Sequence, residues 1–309
     1  MNEALFSRTL RLMGNRFVIT VLAYNSHTGE SLIDEAVSEI QRIESLLTTF
    51  SENSQTNKIN ENAGIKAVKV DLEVFELIER AQRISRMTDG AFDLSYGSLD
   101  KQFWNFDKTM TELPDQESAK EKVRLINFGN IILDKNQNTV FLKEKGMRIG
   151  FGGIGKGYAA DKAANLLKNR GVKSGIVNAS GDLITWGSQP NGEPWTISLA
   201  HPDLPTKAFS SLNISNLAVA TSGNYEKFAI INGKRYSHTI NPKTGYPVTG
   251  IKSVSIICPI AELADALATP VTIMGVEAGL DLINQLQSVE CVIIDDNNYV
   301  YKSDNIKID

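Results

Sequence analysis

The chain has 309 residues, 42% of them hydrophobic, and a formal net charge of −4. That length builds a large core in one domain or two lobes, and slight acidity with no dense Lys/Arg run excludes a nucleic-acid footprint or a basic membrane-binding face. No apolar run is long enough to span a bilayer, and the N-terminal MNEALFSRTLRLMG has no signal-peptide core. As it stands the sequence reads as cytoplasmic; a trimmed leader would make it exported and membrane-tethered instead. Cys258 and Cys291 lie in apolar runs and read as buried, reduced thiols. Small-molecule chemistry is the expectation.

In chain order, Leu12-Met13-Gly14 forms a turn into a strand at 16–24, rich in β-branched and aromatic residues. The spacing of Leu32, Ala36, Val37, Ile40, Ile43, Leu46 and Leu47 predicts a helix over 31–47, with Ser31 and Asp34 placed as a capping box. Polar 49–64 reads as an exposed loop. A second amphipathic helix is expected over 71–87, capped by Asp71 and stopped near Asp89-Gly90. Next, Ala91-Phe92-Asp93 sets a carboxylate between apolar neighbours. A buried Asp is costly unless bonded, so Asp93 is either held by backbone N–H groups or reserved for a ligand. A short helix at 115–124 follows, then a hairpin of Ile131–Asp134 with Thr139–Leu142.

Residues 150–182 hold a crowded glycine loop, one lysine, a helix and a short strand. Gly150, Gly152, Gly153, Gly155 and Gly157 give a backbone that can approach phosphate or an ion closely. The helix predicted over 158–167 points its partial positive charge back into that loop. By letter the loop fits the dinucleotide fingerprint and most of a Walker A loop. However, Gly157 stands where Walker A needs Ser or Thr, and the loop lies mid-chain rather than at the start of a βαβ unit. The acidic residue nearest the dinucleotide spacing, Asp182, falls in another Gly-containing turn. The alternative is a loop that only packs a helix on a sheet.

The second half is rich in strands, at 174–177, 195–200, 209–214 and 217–221. Strands at 227–231 and 235–239 flank Asn232-Gly233, a strong hairpin signal. His238, at the end of that hairpin, is placed for acid–base work or is satisfied by a neighbouring carbonyl. A strand at 252–258 precedes a helix at 262–269, on which Asp265 and Thr269 share one face. Two oxygen donors one turn apart suit a hard cation such as Mg2+, though the pair is also common on solvated helices. Pro270 is expected to end or kink that helix and free the Ala266 carbonyl. A helix at 276–286 and a hairpin of 291–294 with 299–302 close the chain.

Eight of these segments together resemble the FAD:protein FMN transferases, the ApbE family of flavin transferases. They are LMGNRF at 12–17, TFSENS at 49–54, TDGAFD at 88–93, GFGGIGKGYAAD at 150–161, NASGDL at 178–183, ATSGNYEKF at 220–228, SHTINPKTGYPV at 237–248 and ADALAT at 264–269. The resemblance implies Mg2+-dependent transfer of FMN from FAD to a threonine hydroxyl of a target flavoprotein, such as a membrane redox-complex subunit or a reductase, with release of AMP. It implies a metal site at Asp265, Thr269 and the Gly153 carbonyl, with the Ala268 backbone nearby. It also implies FAD contacts from Met13, Phe50, Ala91, Phe92, Asp93, Gly150, Lys156 and the Thr239 backbone. Lys156 would add charge to the catalytic site, and His238 would be the base for the incoming hydroxyl.

The chain departs from the family pattern at Asn15, where Thr is usual, at Gly150 and Asn241, where Asp is usual, and at Pro270. Two other readings share the site: an FAD pyrophosphatase giving FMN and AMP, and a flavin-binding protein without turnover. The expected fold is α+β over a single domain, 1–309. It would comprise two associated lobes with mixed or antiparallel sheets and flanking helices, and FAD in the cleft between them.

Overall fold

The computed structural model describes residues 3–100, 112–201, 204–223 and 228–306. Two antiparallel strands open the chain, β1 (Ala4–Leu12) and β2 (Asn15–Ala23). They are joined by Met13-Gly14 at φ 49° and 72°, a two-residue left-handed turn whose twist matches its strands. The sequence reading starts this sheet at residue 16 and misses β1. Its inward positions are Phe6, Arg8, Leu10 and Leu12, and Arg8 breaks the apolar alternation because its guanidinium bonds Glu30 and Asp34.

Those acids lie on α1 (Ser26–Leu47), which buries Ile33, Ala36, Ile40, Ile43 and Leu47. The helix begins before the expected Ser31, and the cap is Asn25, whose side chain accepts from the Thr28 amide at 2.9 Å. The stretch expected to be an exposed loop contains α2 (Gln55–Glu61), capped by Ser54. Its polar residues are mostly turned inward to bond backbone: Asn57 Nδ2 donates to the Thr49 and Ser51 carbonyls at 3.0 and 2.8 Å.

Beyond β3 (Val68–Lys69), α3 (Leu72–Met87) matches the expected amphipathic helix. Asp71 precedes it without bonding its amides, since the carboxylate accepts from Gln55 at 2.6 Å instead. A 3-10 turn (Leu94–Ser98) and α4 (Gln116–Lys122) lead to the hairpin of β4 (Ile131–Asp134) and β5 (Thr139–Leu142), which falls where the sequence reading puts it and is joined by β3 into a three-stranded sheet.

Next come α5 (Gly155–Asn169), β6 (Gly175–Ala179) and β7 (Asp182–Trp186). A long hairpin follows, β8 (Trp195–His201) with β9 (Leu204–Ile214), and then β10 (Ala218–Gly223). The Asn232-Gly233 hairpin is β11 (Phe228–Ile231) with β12 (Lys234–Ser237); the Lys227 end of the expected strand lies outside the described residues. The chain finishes with β13 (Ile251–Cys258), α6 (Ala261–Met274), α7 (Val276–Asn284), β14 (Glu290–Asp295) and β15 (Val300–Lys302).

The main sheet has eight strands in the order β1-β2-β6-β7-β10-β13-β14-β15, and each neighbouring pair is antiparallel. Helices α1, α5 and α6 lie along one face. The β8–β9 hairpin closes over the other, burying Trp195, Ile197, Leu212 and Ile214 against Leu183, Val219, Ile257 and Val292. Covered on both sides, β13 has every residue buried. The α+β class with antiparallel sheets stands.

Pro270 does not end α6; the helix runs through it to Met274. The proline removes one amide donor, but Pro270, Val271 and Thr272 are all buried, and packing holds the last turn.

Candidate active site

The glycine loop meets the first turn of α5 at a place where three elements of the main fold converge. Gly157 donates its amide to Asp265 Oδ2 on α6 at 3.0 Å. The positive end of α5, read from sequence as a phosphate cradle, thus faces a carboxylate in this structure. Lys156 extends from the same turn and bonds Asp182, at the start of β7, and Asp265 Oδ1 at 3.3 Å. Both carboxylates are nearly buried, at 5% and 6% exposure.

Gly157 is glycine for a reason unrelated to phosphate. A Cβ there would stand 2.1 Å from the Ala261 carbonyl oxygen and 2.8 Å from Asp265 Cβ. The hydroxyl that a Walker A loop requires is therefore excluded by the backbone of α6.

Asp182 reaches the cluster because Ser180 and Gly181, at φ 58° and 104°, turn β6 directly into β7. Its Oδ1 accepts from the Thr221 amide on β10 at 3.3 Å, and the Thr221 and Ser255 hydroxyls bond at 2.8 Å. Burial first, then Asp265, push the Asp182 carboxyl up to about 6, while Lys156 pulls it down. For Lys156 the two carboxylates outweigh burial and hold the ammonium above its ordinary range. One turn beyond Asp265, Thr269 is half-buried, and its hydroxyl has no hydrogen-bond partner among the described residues. By contrast the Ala268 carbonyl already accepts the Thr272 hydroxyl at 2.9 Å.

Other expected residues gather at the loop. A Cβ on Gly153 would lie 3.7 Å from the Phe92 ring, and one on Gly155 would lie 3.7 Å from Met13 Cε. Asp93, buried, accepts from the Ser95 amide and hydroxyl at 2.8 and 2.6 Å and from the Phe128 amide at 2.7 Å. Of its two sequence readings, the structure shows the carboxylate held by the protein's own donors. Burial pushes it above the usual carboxylate range, opposed by those bonds. Ala91 is half-buried beside it, and Gly150 donates to the Leu94 carbonyl at 3.0 Å. Phe50 is 99% exposed.

His238 is exposed and lies just past β12, in a bend rather than on the expected strand. Thr239 spends both backbone groups locally: its amide donates to Ser237 Oγ and its carbonyl accepts from Val248, each at 2.9 Å. The loop is tied to the 88–96 segment by the Lys243–Asp89 ion pair and by the Ile240 amide on Tyr96 Oη at 3.1 Å.

The ApbE family model matches residues 13–293, which takes in these elements except β1, β15 and the last two residues of β14. This chain belongs to the ApbE family. An FAD:protein FMN transferase of Klebsiella pneumoniae is 31% identical over 304 residues, covering 98% of this chain and 93% of the relative. One of Treponema pallidum is 30% identical over 277 residues, covering 85% and 76%. The crystal structure of the ApbE protein of Thermotoga maritima matches with a TM-score of 0.86 at 28% identity over 97% of both chains.

The departures from the ApbE pattern each have a structural reading. Asn241 Oδ1 accepts from the Lys243 and Thr244 amides at 2.9 and 3.3 Å, an Asx turn that Asp would make equally well. Asn15 donates to the Met13 carbonyl at 2.7 Å and stiffens the first turn. Gly150 supplies only backbone.

Sequence reasoning does not assign Asp182 or Asn60 a role at this site. Asp182 was legible only as a misfit to the dinucleotide spacing, and its partnership with Lys156 depends on a register that sequence does not give. Asn60 holds the approach to the glycine loop, donating to the Ile149 carbonyl at 3.1 Å and accepting from the Ile149 amide at 2.7 Å. Its signal, a polar residue at a buried helical position, was hidden inside an apparent loop.

Proposed function

We propose that this chain transfers FMN from FAD to a threonine hydroxyl of a target flavoprotein and releases AMP. The convergence of Lys156, Asp182 and Asp265 at the start of α5 carries the reading, together with the names of the relatives that span the chain. Asp265 and Thr269 supply the all-oxygen donors that a hard cation prefers, and Thr269 has its hydroxyl to spare, so these residues fit magnesium. The Gly153 carbonyl would be the third donor; Ala268, whose carbonyl already accepts the Thr272 hydroxyl, would contribute only position. Bound there, magnesium would bind the pyrophosphate and offset charge growing on the leaving phosphate.

The remaining roles belong to the chain itself. Lys156, a cation held among carboxylates, neutralises Asp182 and Asp265 until substrate arrives and then lies next to the diphosphate. Phe92 and Met13 line the loop's apolar side, where the flavin nucleotide would sit. The threonine oxygen attacks the FMN-side phosphorus, the bond to the AMP phosphate breaks, and His238 takes the hydroxyl proton, a contribution typically of about 10²–10⁴ in rate.

The test is incubation of the chain with FAD, Mg2+ and a threonine-bearing target flavoprotein. The expected result is target gaining the mass of FMN less one water in step with AMP release, and loss of both in Asp265→Ala. AMP without an adduct would make the protein an FAD hydrolase. Neither product, with flavin still bound, would make it a binding protein.

A further inference from the structure

Helix α6 carries both proposed metal-holding side chains, yet it begins without a cap of its own. Its N-cap residue is Ile260, which has no side-chain acceptor, and a helix start leaves its first amides unpartnered. The acceptor comes from α5. Asp161 Oδ1 accepts from the Ala261 amide at 3.0 Å and Oδ2 from the Glu262 amide at 2.8 Å.

Asp161 lies one helical turn after Gly157, so α5 grips α6 twice, in opposite senses. The Gly157 amide donates to the Asp265 carboxylate, and the Asp161 carboxylate receives the amides that open α6. Between the two grips the helices touch backbone to backbone, since a Cβ on Gly157 would lie 2.1 Å from the Ala261 carbonyl oxygen. Arg80 holds the same turn from α3 through a two-pronged bond to Glu262 at 2.7 and 2.9 Å. No lysine or arginine forms an ion pair with Asp161 among the described residues, so the two amides, with a weaker attraction from Lys168, offset its burial.

We propose that Asp161 is a positioning residue of the transfer reaction: by capping α6 from α5 it fixes where Asp265 and Thr269 present their oxygens to a divalent cation. The inference rests on the assignment of that cation to Asp265 and Thr269. A shift of about 1 Å in reacting groups can cost roughly 10²-fold in rate, and loss of a group that orients a metal-holding side chain typically costs about 10–100-fold in metal affinity.

Mn2+ binding to the full-length chain, followed by the electron paramagnetic resonance of the free ion, reads this without turnover. Asp161→Ala is expected to weaken Mn2+ binding roughly 10–100-fold and to lower kcat while the KM for FAD moves less than about threefold. Asp161→Asn, which keeps one acceptor oxygen, is expected to recover part of both. Arg80→Met, which loosens the same turn without uncapping it, is expected to lower the melting temperature yet keep Mn2+ affinity within about threefold. Wild-type Mn2+ affinity in folded Asp161→Ala overturns the inference; if Asp161→Ala does not fold, Asp161→Asn decides, and wild-type affinity there overturns it. That outcome, with Asp265→Ala failing to bind Mn2+, leaves the proposed function standing. Wild-type Mn2+ binding by Asp265→Ala overturns the cation assignment and this inference with it.

Discussion

At residue scale, a methyl group that Gly157 lacks decides what the glycine loop can be. Any side chain there drives into the Ala261 carbonyl, which belongs to helix backbone and cannot swing aside. Overpacking in a close-packed interior typically costs about 1–3 kcal/mol and sometimes more, so Gly157→Ala is expected at or above the top of that range. Thermal unfolding checks it; a melting temperature within a degree or two of wild type would mean that α6 can retreat. Lys156 makes the complementary case in charge. Its replacement by Met leaves Asp182 and Asp265 buried without a cation, and breaking a buried pair typically costs about 3–5 kcal/mol. A drop in urea midpoint with unchanged slope is the expected signature.

At the scale of elements, α2 is what the sequence conceals. Its Asn-rich composition looks like a loop because Asn favours turns, yet Asn57 and Asn60 are buried and pair with carbonyls and amides of other segments. Asn60→Ala would strand the Ile149 amide and carbonyl, at about 1–3 kcal/mol for each buried group. It is expected to lower stability by about 2 kcal/mol or more and to speed hydrogen exchange at Ile149.

Glu73 ties α3 to α1 and α5 by bonding Arg42, Tyr158 and Lys162. The Arg42 bonds lead in holding its carboxyl down to about 2, below its ordinary 4.5. A depressed carboxyl stabilises the fold fully above its unfolded value and loses that contribution as pH falls through the folded one. The stability gap between wild type and Glu73→Gln should therefore be constant above about pH 5 and close as pH falls toward 2; chemical unfolding at pH 7, 4 and 2.5 measures it.

The long periodic elements, α1, α3, β2 and β13, were legible because their apolar spacing matches the face they bury. β1 and β7 were not. Arg8 interrupts the first, and the second opens on Asp182, which reads as part of a turn until the hairpin register is known. The same holds for the site: Asp265, Thr269 and Lys156 stood out by spacing and family likeness, whereas Asp182 and Asp161 acquire their roles only through tertiary contact.

At the scale of the whole molecule, the β8–β9 hairpin is a lid on the sheet face opposite the helices and the site. Replacing 195–214 by a short Gly/Ser linker would expose Leu183, Val219, Ile257 and Val292 as one apolar patch. Patches of that kind drive association. The expected outcome is a light-scattering mass above that of the monomer and strong binding of a hydrophobic dye; a monodisperse, dye-silent variant would show the hairpin to be dispensable.

The order of strands also bears on how the protein is made. β2 pairs with β1 at once, but its other edge waits for β6, with Phe17 opposite Ala179. At translation speeds of about 5–20 residues per second, that edge stays open for roughly 8–30 s on the ribosome. Until α5 and β6 emerge, the nascent chain presents an unpaired ladder of amides and carbonyls flanked by Phe17, Ile19 and Val21, the kind of template that recruits neighbouring nascent chains. Cotranslational shielding of this first hairpin, more than the final stability of the sheet, would then set the yield of folded protein in the cell.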